Sequence, residues 1–441
     1  MKVTFIMPAV GRKKGIPYSR SWIMEPLGLA VLSALTPPEI ERVLYDDRLE
    51  KIPYDESTDL VAINVETYTA NRAYQIAARY RSRGVAVIMG GYHPTLVPQE
   101  AAVHADAVVC GEGELVWGQL LKDFQAGQLK KIYEAQVRTD LGGLFADRSL
   151  FKGKNYFNLT LIETGRGCRF SCEFCSINAF YKRTYNTRPI ADVVKEITDT
   201  GAKNIFFVDD NIGNDRVRAK ELFSALIPLK IHWVSQVSMH IYKDDELLDL
   251  MKRSGCRGVL IGFETLQPQN LQAMGKCVNN VAGGYDEVVK RFHSHQLAIY
   301  ATFVFGYHDT DATFRETYDF AMRNKLFYVA FNHLVPFPGT DLYSRFDEQC
   351  KLRYKSWWTD PQCHFGNIYF NPENMAPDEL ERLCYKYRLK FFRLPNVLFR
   401  LLNFKLYWRD IVSLIIFLGV NVFANRETKS RRMLPFGVSD E

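Results

Sequence analysis

Gly165-Arg166-Gly167-Cys168-Arg169-Phe170-Ser171-Cys172-Glu173-Phe174-Cys175 sets three cysteines in C-x3-C-x2-C spacing directly after an apolar, strand-like run at 159–162. Soft thiolates select iron–sulfur and zinc sites. A structural zinc or a closed [4Fe–4S] centre takes four protein ligands, and no fourth Cys or His stands at the expected spacing. Three ligands on one short loop point to a cluster with one iron left open for a substrate or cofactor. The competing reading is three unrelated buried thiols.

The surrounding chain is that of a globular protein. At 441 residues it has room for two or three full-sized cores. Hydrophobic content of 47% and charged content of 24% are ordinary, and 56 basic against 50 acidic residues leave a net charge of +6, too mild to imply a nucleic-acid partner. Residues 1–8 are too short in their apolar part for a signal peptide and read as a first strand. Nine cysteines form no even framework, so disulfides are not expected. Cys110, Cys256, Cys277, Cys350, Cys363 and Cys384 read as buried free thiols. Free thiols beside an oxygen-sensitive cluster suit a reducing cytoplasm.

Upstream of the cysteine loop, short apolar runs at 3–10, 42–45, 60–65, 86–89 and 107–110 alternate with helical stretches at 26–35, 70–83, 98–104 and 115–125. That alternation predicts a doubly wound, Rossmann-like parallel sheet over residues 1–135, with ligands at the carboxyl ends of the strands. Those ends are the loop 11–24, Glu66-Thr67-Tyr68-Thr69, Gly90-Gly91-Tyr92-His93-Pro94-Thr95 and Gly111-Glu112-Gly113-Glu114. The polar stretch that follows, with a short extended piece, reads as a linker up to 157.

Downstream, six strand-like runs (160–163, 204–208, 232–237, 258–262, 300–305, 329–334) are separated by helical segments. They predict a partial (β/α)6 barrel over 158–345, short of the eight units of a closed one. The cysteine loop follows its first strand. Asp209-Asp210-Asn211, Gln236-Val237-Ser238, Gly262-Phe263-Glu264-Thr265, Phe305-Gly306-Tyr307 and Pro336-Phe337-Pro338-Gly339-Thr340 end the others. Each alone is an ordinary cap or turn, but their order is hard to produce by chance.

Cysteine spacing and strand-end order resemble radical S-adenosylmethionine (radical SAM) proteins, and Met24 to Leu29, GGYHPT and the run Asp106 to Glu114 resemble the cobalamin-binding domain that precedes many of them. The resemblance implies that Cys168, Cys172 and Cys175 hold a [4Fe–4S] cluster whose open iron chelates SAM. It places Phe174, Asp209, Asn211, Gln236 and Glu264 about SAM, and Thr67, Gly90, Gly91, His93, Gly111, Glu112, Gly113 and Glu114 about cobalamin. Arg188 is offered either as a countercharge near the site or as a solvated helix-start residue. The D-x-H-x-x-G motif that supplies cobalt's lower ligand is missing, since no histidine has an Asp two residues before it. His93 is therefore not that ligand, and a domain that has lost its cofactor is the alternative.

The implied activity is reductive cleavage of SAM followed by C-methylation of an unactivated carbon in a hydrophobic substrate. The runner-up is oxidation or cyclisation without methyl transfer, as in the anaerobic magnesium-protoporphyrin ester cyclase; a non-enzymatic sensor would have no use for a SAM pocket. A flavodoxin- or ferredoxin-type electron donor is the implied protein partner. The mostly helical C-terminal region, 346–441, is rich in aromatics at Trp357-Trp358 and Phe365 to Phe370, which line a substrate cavity or fill a core. Its 14-residue uncharged run at 411–424 is too short to span a bilayer of about 20 residues. It reads either as a buried helix on the barrel or, flanked by bases, as a peripheral contact with the inner face of the membrane.

Overall fold

Six strands, β1 (Lys2–Met7), β2 (Glu41–Asp46), β3 (Leu60–Asn64), β4 (Ala86–Gly90), β5 (Ala107–Cys110) and β6 (Ile132–Glu134), form the first sheet. The computed structural model describes residues 1–13 and 22–438, apart from the side chain of Cys277. Residues 14–21 of the expected ligand loop and the Cys277 thiol lie outside the described residues. The strand order is β2-β1-β3-β4-β5-β6 with every neighbour parallel. β3 and β5 are apolar almost throughout because helical layers bury both of their faces. The order reverses between β1 and β3, so the ligand crevice of this sheet opens where those two strands end. β6 is the short extended piece beyond residue 126, here the sixth strand of the sheet. GGYHPT, expected as a loop, turns into the short helix Tyr92–Leu96.

The second sheet starts with β7 (Thr160–Ile162). A small antiparallel hairpin, β8 (Gly165–Gly167) and β9 (Tyr185–Thr187), brackets the cysteine loop. Then come β10 (Asn204–Phe207), β11 (His232–Gln236), β12 (Cys256–Glu264), β13 (Ala298–Phe305) and β14 (Tyr328–His333). The order is β14-β13-β12-β11-β10-β7, all parallel and open between β14 and β7. Alternation along β13 shows how the barrel is built. Ile299, Ala301, Phe303 and Phe305 pack outward under the helices, while Tyr300, Thr302 and Val304 are half-buried on the lumen side.

The C-terminal residues divide between the two halves. Trp357, Trp358, Tyr369 and Phe436 pack into the core of the first sheet, so this aromatic region fills a core. The helix Pro377–Phe391 packs beside β14 at the open edge of the barrel. Cys110, Cys256, Cys363 and Cys384 are buried free thiols as expected, but Cys350 is exposed because it lies in the turn after the helix Asp341–Glu348.

The uncharged run belongs to a longer helix, Ile411–Arg431. It has 21 residues, and an 18-residue window within it has mean hydropathy 1.3, sufficient by length and composition to cross a membrane. One side of it, Phe417, Asn421, Ala424 and Thr428, packs against the barrel. Ile411, Val412, Ile415, Ile416, Val422 and Phe423 on its other side are exposed, so a fully buried helix is excluded. The packed side is fastened by Arg400, fully buried, which donates to the carbonyls of Leu326, Phe327 and Phe391 and to Asn421 Oδ1. Arg400→Ala strands those acceptors and opens a cavity, and should lower unfolding free energy by about 3 kcal/mol. Urea denaturation of the full chain reads this directly.

Candidate active site

The cysteine loop is held from below by three consecutive side chains at the end of β10. Asp209 accepts from the Thr164 N–H at 2.8 Å and its hydroxyl at 2.6 Å. Asp210 accepts from the N–H of Gly167 at 2.7 Å. Asn211 bonds the Cys168 thiol and accepts from Ser238 N–H at 3.1 Å. Burial pushes the two carboxyls up, to about 7 for Asp209 and about 6 for Asp210. Asp209 and Asn211, which the resemblance places about SAM, both hold the cluster loop, because the loop's own donors reach them. Gly167 has φ +87°, and a Cβ there would lie 2.2 Å from the Thr184 carbonyl oxygen, so the turn into Cys168 needs glycine.

The thiols are surrounded by donors. The backbone N–H groups of Ile177 and Asn178, at the start of the helix Ser176–Tyr181, point at Cys175, and that of Phe170 at Cys168. Burial raises all three thiols, Cys172 to about 11, and the Lys276 ammonium opposes that rise at each. Among the described residues no three His, Cys, Asp or Glu side chains converge on a single metal ion. A zinc site would require thiolates about 2.3 Å from one point. A cubane offers each thiolate its own iron corner, and N–H donors to the sulfurs are what such thiolates need. The donor set therefore fits the cluster.

Lys276 is the residue that sequence reasoning missed. Gly275 turns the chain with φ +64°, and Glu173 N–H bonds Met274 O at 3.2 Å, so this turn rides on the cysteine loop. Lys276 Nζ sits 2.5 Å from Glu264 Oε1 and 5.9 Å from the Phe174 ring centroid. Glu264 folds back over its own strand with φ +63°, where the register of β12 slips against β13. Glycine beneath it leaves room for this fold-back, since a Cβ at Gly262 would lie 2.2 Å from the Glu264 carboxylate and displace it. Glu264 and Phe174 thus stand beside the cluster loop, and the exposed Gln236 stands at its strand end without a side-chain bond among the described residues. Glu173, inside the motif, is bonded by Tyr307 at 2.5 Å and by Arg345 at 2.7 Å. Arg188 is neither solvated nor a countercharge at the cluster: it is buried and paired with Glu196.

Several residues expected around cobalamin are committed elsewhere. His93 is fully buried, with its ring against Tyr74 Oη at 3.0 Å and Thr67 Oγ1 at 3.3 Å, so neither His93 nor Thr67 is free for a ligand. Gly91, at φ +109°, serves a close approach, because a Cβ would lie 2.5 Å from Asn64 Oδ1. Glu112 and Glu114 meet Arg166, the residue two before Cys168. Its Nη1 reaches Glu112 at 2.9 Å, its Nη2 reaches Glu114 at 2.7 Å, and its Nε reaches Glu163 at 2.6 Å. Glu112 also accepts from Arg138 at 2.8 Å and from Thr139 N–H at 3.0 Å. Tyr92 packs at a tilt against Phe180 of the helix after the cysteines, ring centroids 4.7 Å apart. Gly90, Gly111 and Gly113 stay at strand ends beside the crevice. Glu66 and Tyr68 flank it, and desolvation raises both of their side chains. His104, the other imidazole of this sheet, stacks on Tyr74 at 3.9 Å. The crevice therefore fits a corrinoid without a histidine from this domain beneath the metal.

Arg166 joins the two domains through three carboxylates. Arg166→Met leaves them converging without their cation and should cost about 3–5 kcal/mol. Chemical denaturation of the metal-free protein checks this, and cobalamin retained after gel filtration should fall with it.

The model of the radical SAM superfamily matches residues 162–321, and that of the B12 binding domain matches residues 23–121. Bacteriochlorophyllide d C-12(1)-methyltransferase of Chlorobaculum tepidum is 30% identical over 405 residues, 89% of this chain and 88% of that one. The C-8(2)-methyltransferase of the same organism is 29% identical over 75% of this chain and 78% of its own. In fold, the radical SAM methyltransferase TsrM from Kitasatospora setae, solved with cobalamin and a [4Fe–4S] cluster, superposes with a TM-score of 0.64 at 18% identity, covering 87% of this chain and 81% of that one. With both domains matched in order along one chain, and a relative alike over nearly its whole length, the chain belongs to the cobalamin-dependent radical SAM family and is a radical SAM C-methyltransferase that uses a [4Fe–4S] cluster, SAM and cobalamin.

Proposed function

We propose that the carbon methylated belongs to a tetrapyrrole of the bacteriochlorophyllide kind, with Cys168, Cys172 and Cys175 holding three irons of the cluster. The observation that carries the substrate class is the likeness over nearly the whole chain to a bacteriochlorophyllide methyltransferase, and the aromatic lining of the barrel supports it. Tyr300 and Tyr328 lie 4.4 Å apart on the lumen side of β13 and β14. Such walls suit a large flat conjugated ring. When bound, the cluster and SAM supply one-electron hydrogen abstraction and cobalamin supplies the transferred methyl. The chain's part is to orient and to exclude water. Phe174 would flank the adenine, the Lys276–Glu264 pair and Gln236 would face the polar end of SAM, and Glu66 and Tyr68 would edge the corrinoid, with Gly90, Gly111 and Gly113 leaving room for it.

The enzyme needs a reductant, and we assign it to a flavodoxin or ferredoxin. Cys175 borders an open pocket of about 270 Å³ with Glu173, Asn178, Lys182 and Arg183 on its rim. The exposed cations of Lys182 and Arg183 suit an acidic partner placed close to the cluster.

The test is anaerobic reconstitution with iron, sulfide and cobalamin, then incubation with a bacteriochlorophyllide and methyl-labelled SAM. Label in the tetrapyrrole, with S-adenosylhomocysteine formed alongside 5′-deoxyadenosine, is the expected result. Deoxyadenosine alone, with an oxidised or cyclised product, would favour the cyclase-like reading. Cys172→Ala should abolish SAM cleavage; retained cleavage would remove the thiols from the cluster.

A cytoplasmic enzyme resting on the inner membrane face is the location we favour. Eight of the 56 basic residues and two of the 50 acidic ones fall within 393–432, a balance of +6 that accounts for the chain's whole net charge. The same segment exposes Leu394, Leu398, Phe404 and Trp408 along with the outer face of the helix Ile411–Arg431. An apolar face rimmed by Arg393, Lys405, Arg426 and Lys429 suits an anionic bilayer. The full chain should float with phosphatidylglycerol vesicles and less so with phosphatidylcholine, and Ile411→Ser with Ile415→Ser should abolish flotation. Equal flotation of the double variant would refute the contact.

A further inference from the structure

Near the end of the helix Pro377–Phe391, Arg388 reaches the free edge of β14. Its Nη2 donates to the Phe331 carbonyl at 3.0 Å and to Asn332 Oδ1 at 2.7 Å, which fixes the guanidinium in place. An arginine has five N–H groups, and three of these, on Nε and Nη1, meet no acceptor among the described residues. Neither atom is sealed off from open space. No described carboxylate stands within ion-pair distance of Arg388. Its charge acts on Glu427, but that carboxylate is bonded to Arg431 at 2.7 Å. Arg148, Arg166 and Arg188 near the barrel mouth have carboxylate partners, whereas Arg218 there is held by the backbone carbonyls of Thr164 and Arg188.

Arg388 stands among the aromatic side chains on the lumen side of β13 and β14. Its charge acts on Tyr68, Tyr300, Tyr328 and His333. Burial lowers His333 to about 3, so its imidazole is neutral, and its Nε2 has no partner. A part-buried guanidinium held among tyrosines and a neutral imidazole favours an anion beside it. Its free donors match the acceptors of a carboxylate.

We propose that Arg388 is the anion anchor of the substrate space, binding a carboxylate on the hydrophobic substrate and so fixing which carbon faces the cluster and the cobalamin. This rests on the methyltransferase reading and deepens it. It predicts that substrates carry a free acid side chain and that their esters bind poorly.

Two acid–ester pairs separate this from the substrate class. One is a chlorin monocarboxylic acid with its methyl ester, and the other is farnesoic acid with methyl farnesoate. Binding to the reconstituted holoprotein is read by equilibrium dialysis, without turnover. The acid should bind at least about tenfold tighter than its ester, the effect of a hydrogen bond to a charged group. Arg388→Gln should erase that ratio, and Arg388→Lys should keep part of it, with iron and cobalamin content unchanged. If the farnesyl pair discriminates and the chlorins do not bind, the anchor stands and the tetrapyrrole class falls. Chlorins that bind without preference for the acid overturn the anchor and leave the class intact. Equal affinities within both pairs, a preference that survives Arg388→Gln, or no binding by either pair overturns the anchor outright.

Discussion

Arg166 is the constraint on which this architecture turns. It lies on the strand that leads into the first cysteine, and its three nitrogens are taken by carboxylates from both domains. Two of those carboxylates, Glu112 and Glu114, come from the strand-end loop of the first sheet. A buried guanidinium filled by three acids has one geometry that satisfies every donor. The crevice of the first sheet is thereby set in register with the cysteine loop. The aromatic contact between Tyr92 and Phe180 adds a second point of fixation, so the two domains meet through both charge and packing.

The polar strand ends share the work in an unexpected way. Asp209, Asp210 and Asn211 face inward and occupy themselves with Thr164, Gly167 and Cys168. Glu264 looks back along its own strand to Lys276. A cluster loop with three flexible thiols must be held rigid before it can position anything, and short polar side chains at the next strand end are the nearest acceptors for its backbone. Longer side chains from elsewhere in the chain, among them Lys276 from the turn after β12, stand beside the loop that these residues hold.

The outer surface is just as unevenly arranged. The first 392 residues and the last nine carry no net charge together, while the helical segment between them carries all of it. On the inside, this segment fastens to the barrel through Arg400 and Asn421. On the outside it presents aliphatic and aromatic side chains to solvent. A soluble protein seldom leaves so large an apolar face uncovered.

Much of this was legible in the linear sequence, for local reasons. Strand and helix periodicity marks eleven of the twelve strands in the two parallel sheets, all but the short β6, because burial on both faces leaves unbroken apolar runs at 60–63 and 107–110. Three cysteines on one loop announce a cluster because their spacing is itself a local geometry. Contacts between distant residues carry no such mark. Nothing at Asp209 separates a ligand contact from a backbone acceptor 45 residues away, and nothing at His93 tells that Tyr74 and Thr67 take both ring nitrogens. Arg166, Lys276 and Arg388 each look like an ordinary surface cation in sequence. The fold alone gave the first its three acids, set the second beside the thiols and left the third without a counter-charge. Which groups a side chain meets is decided by the packing of segments far apart in the chain, and a charge has meaning only in the company it keeps there.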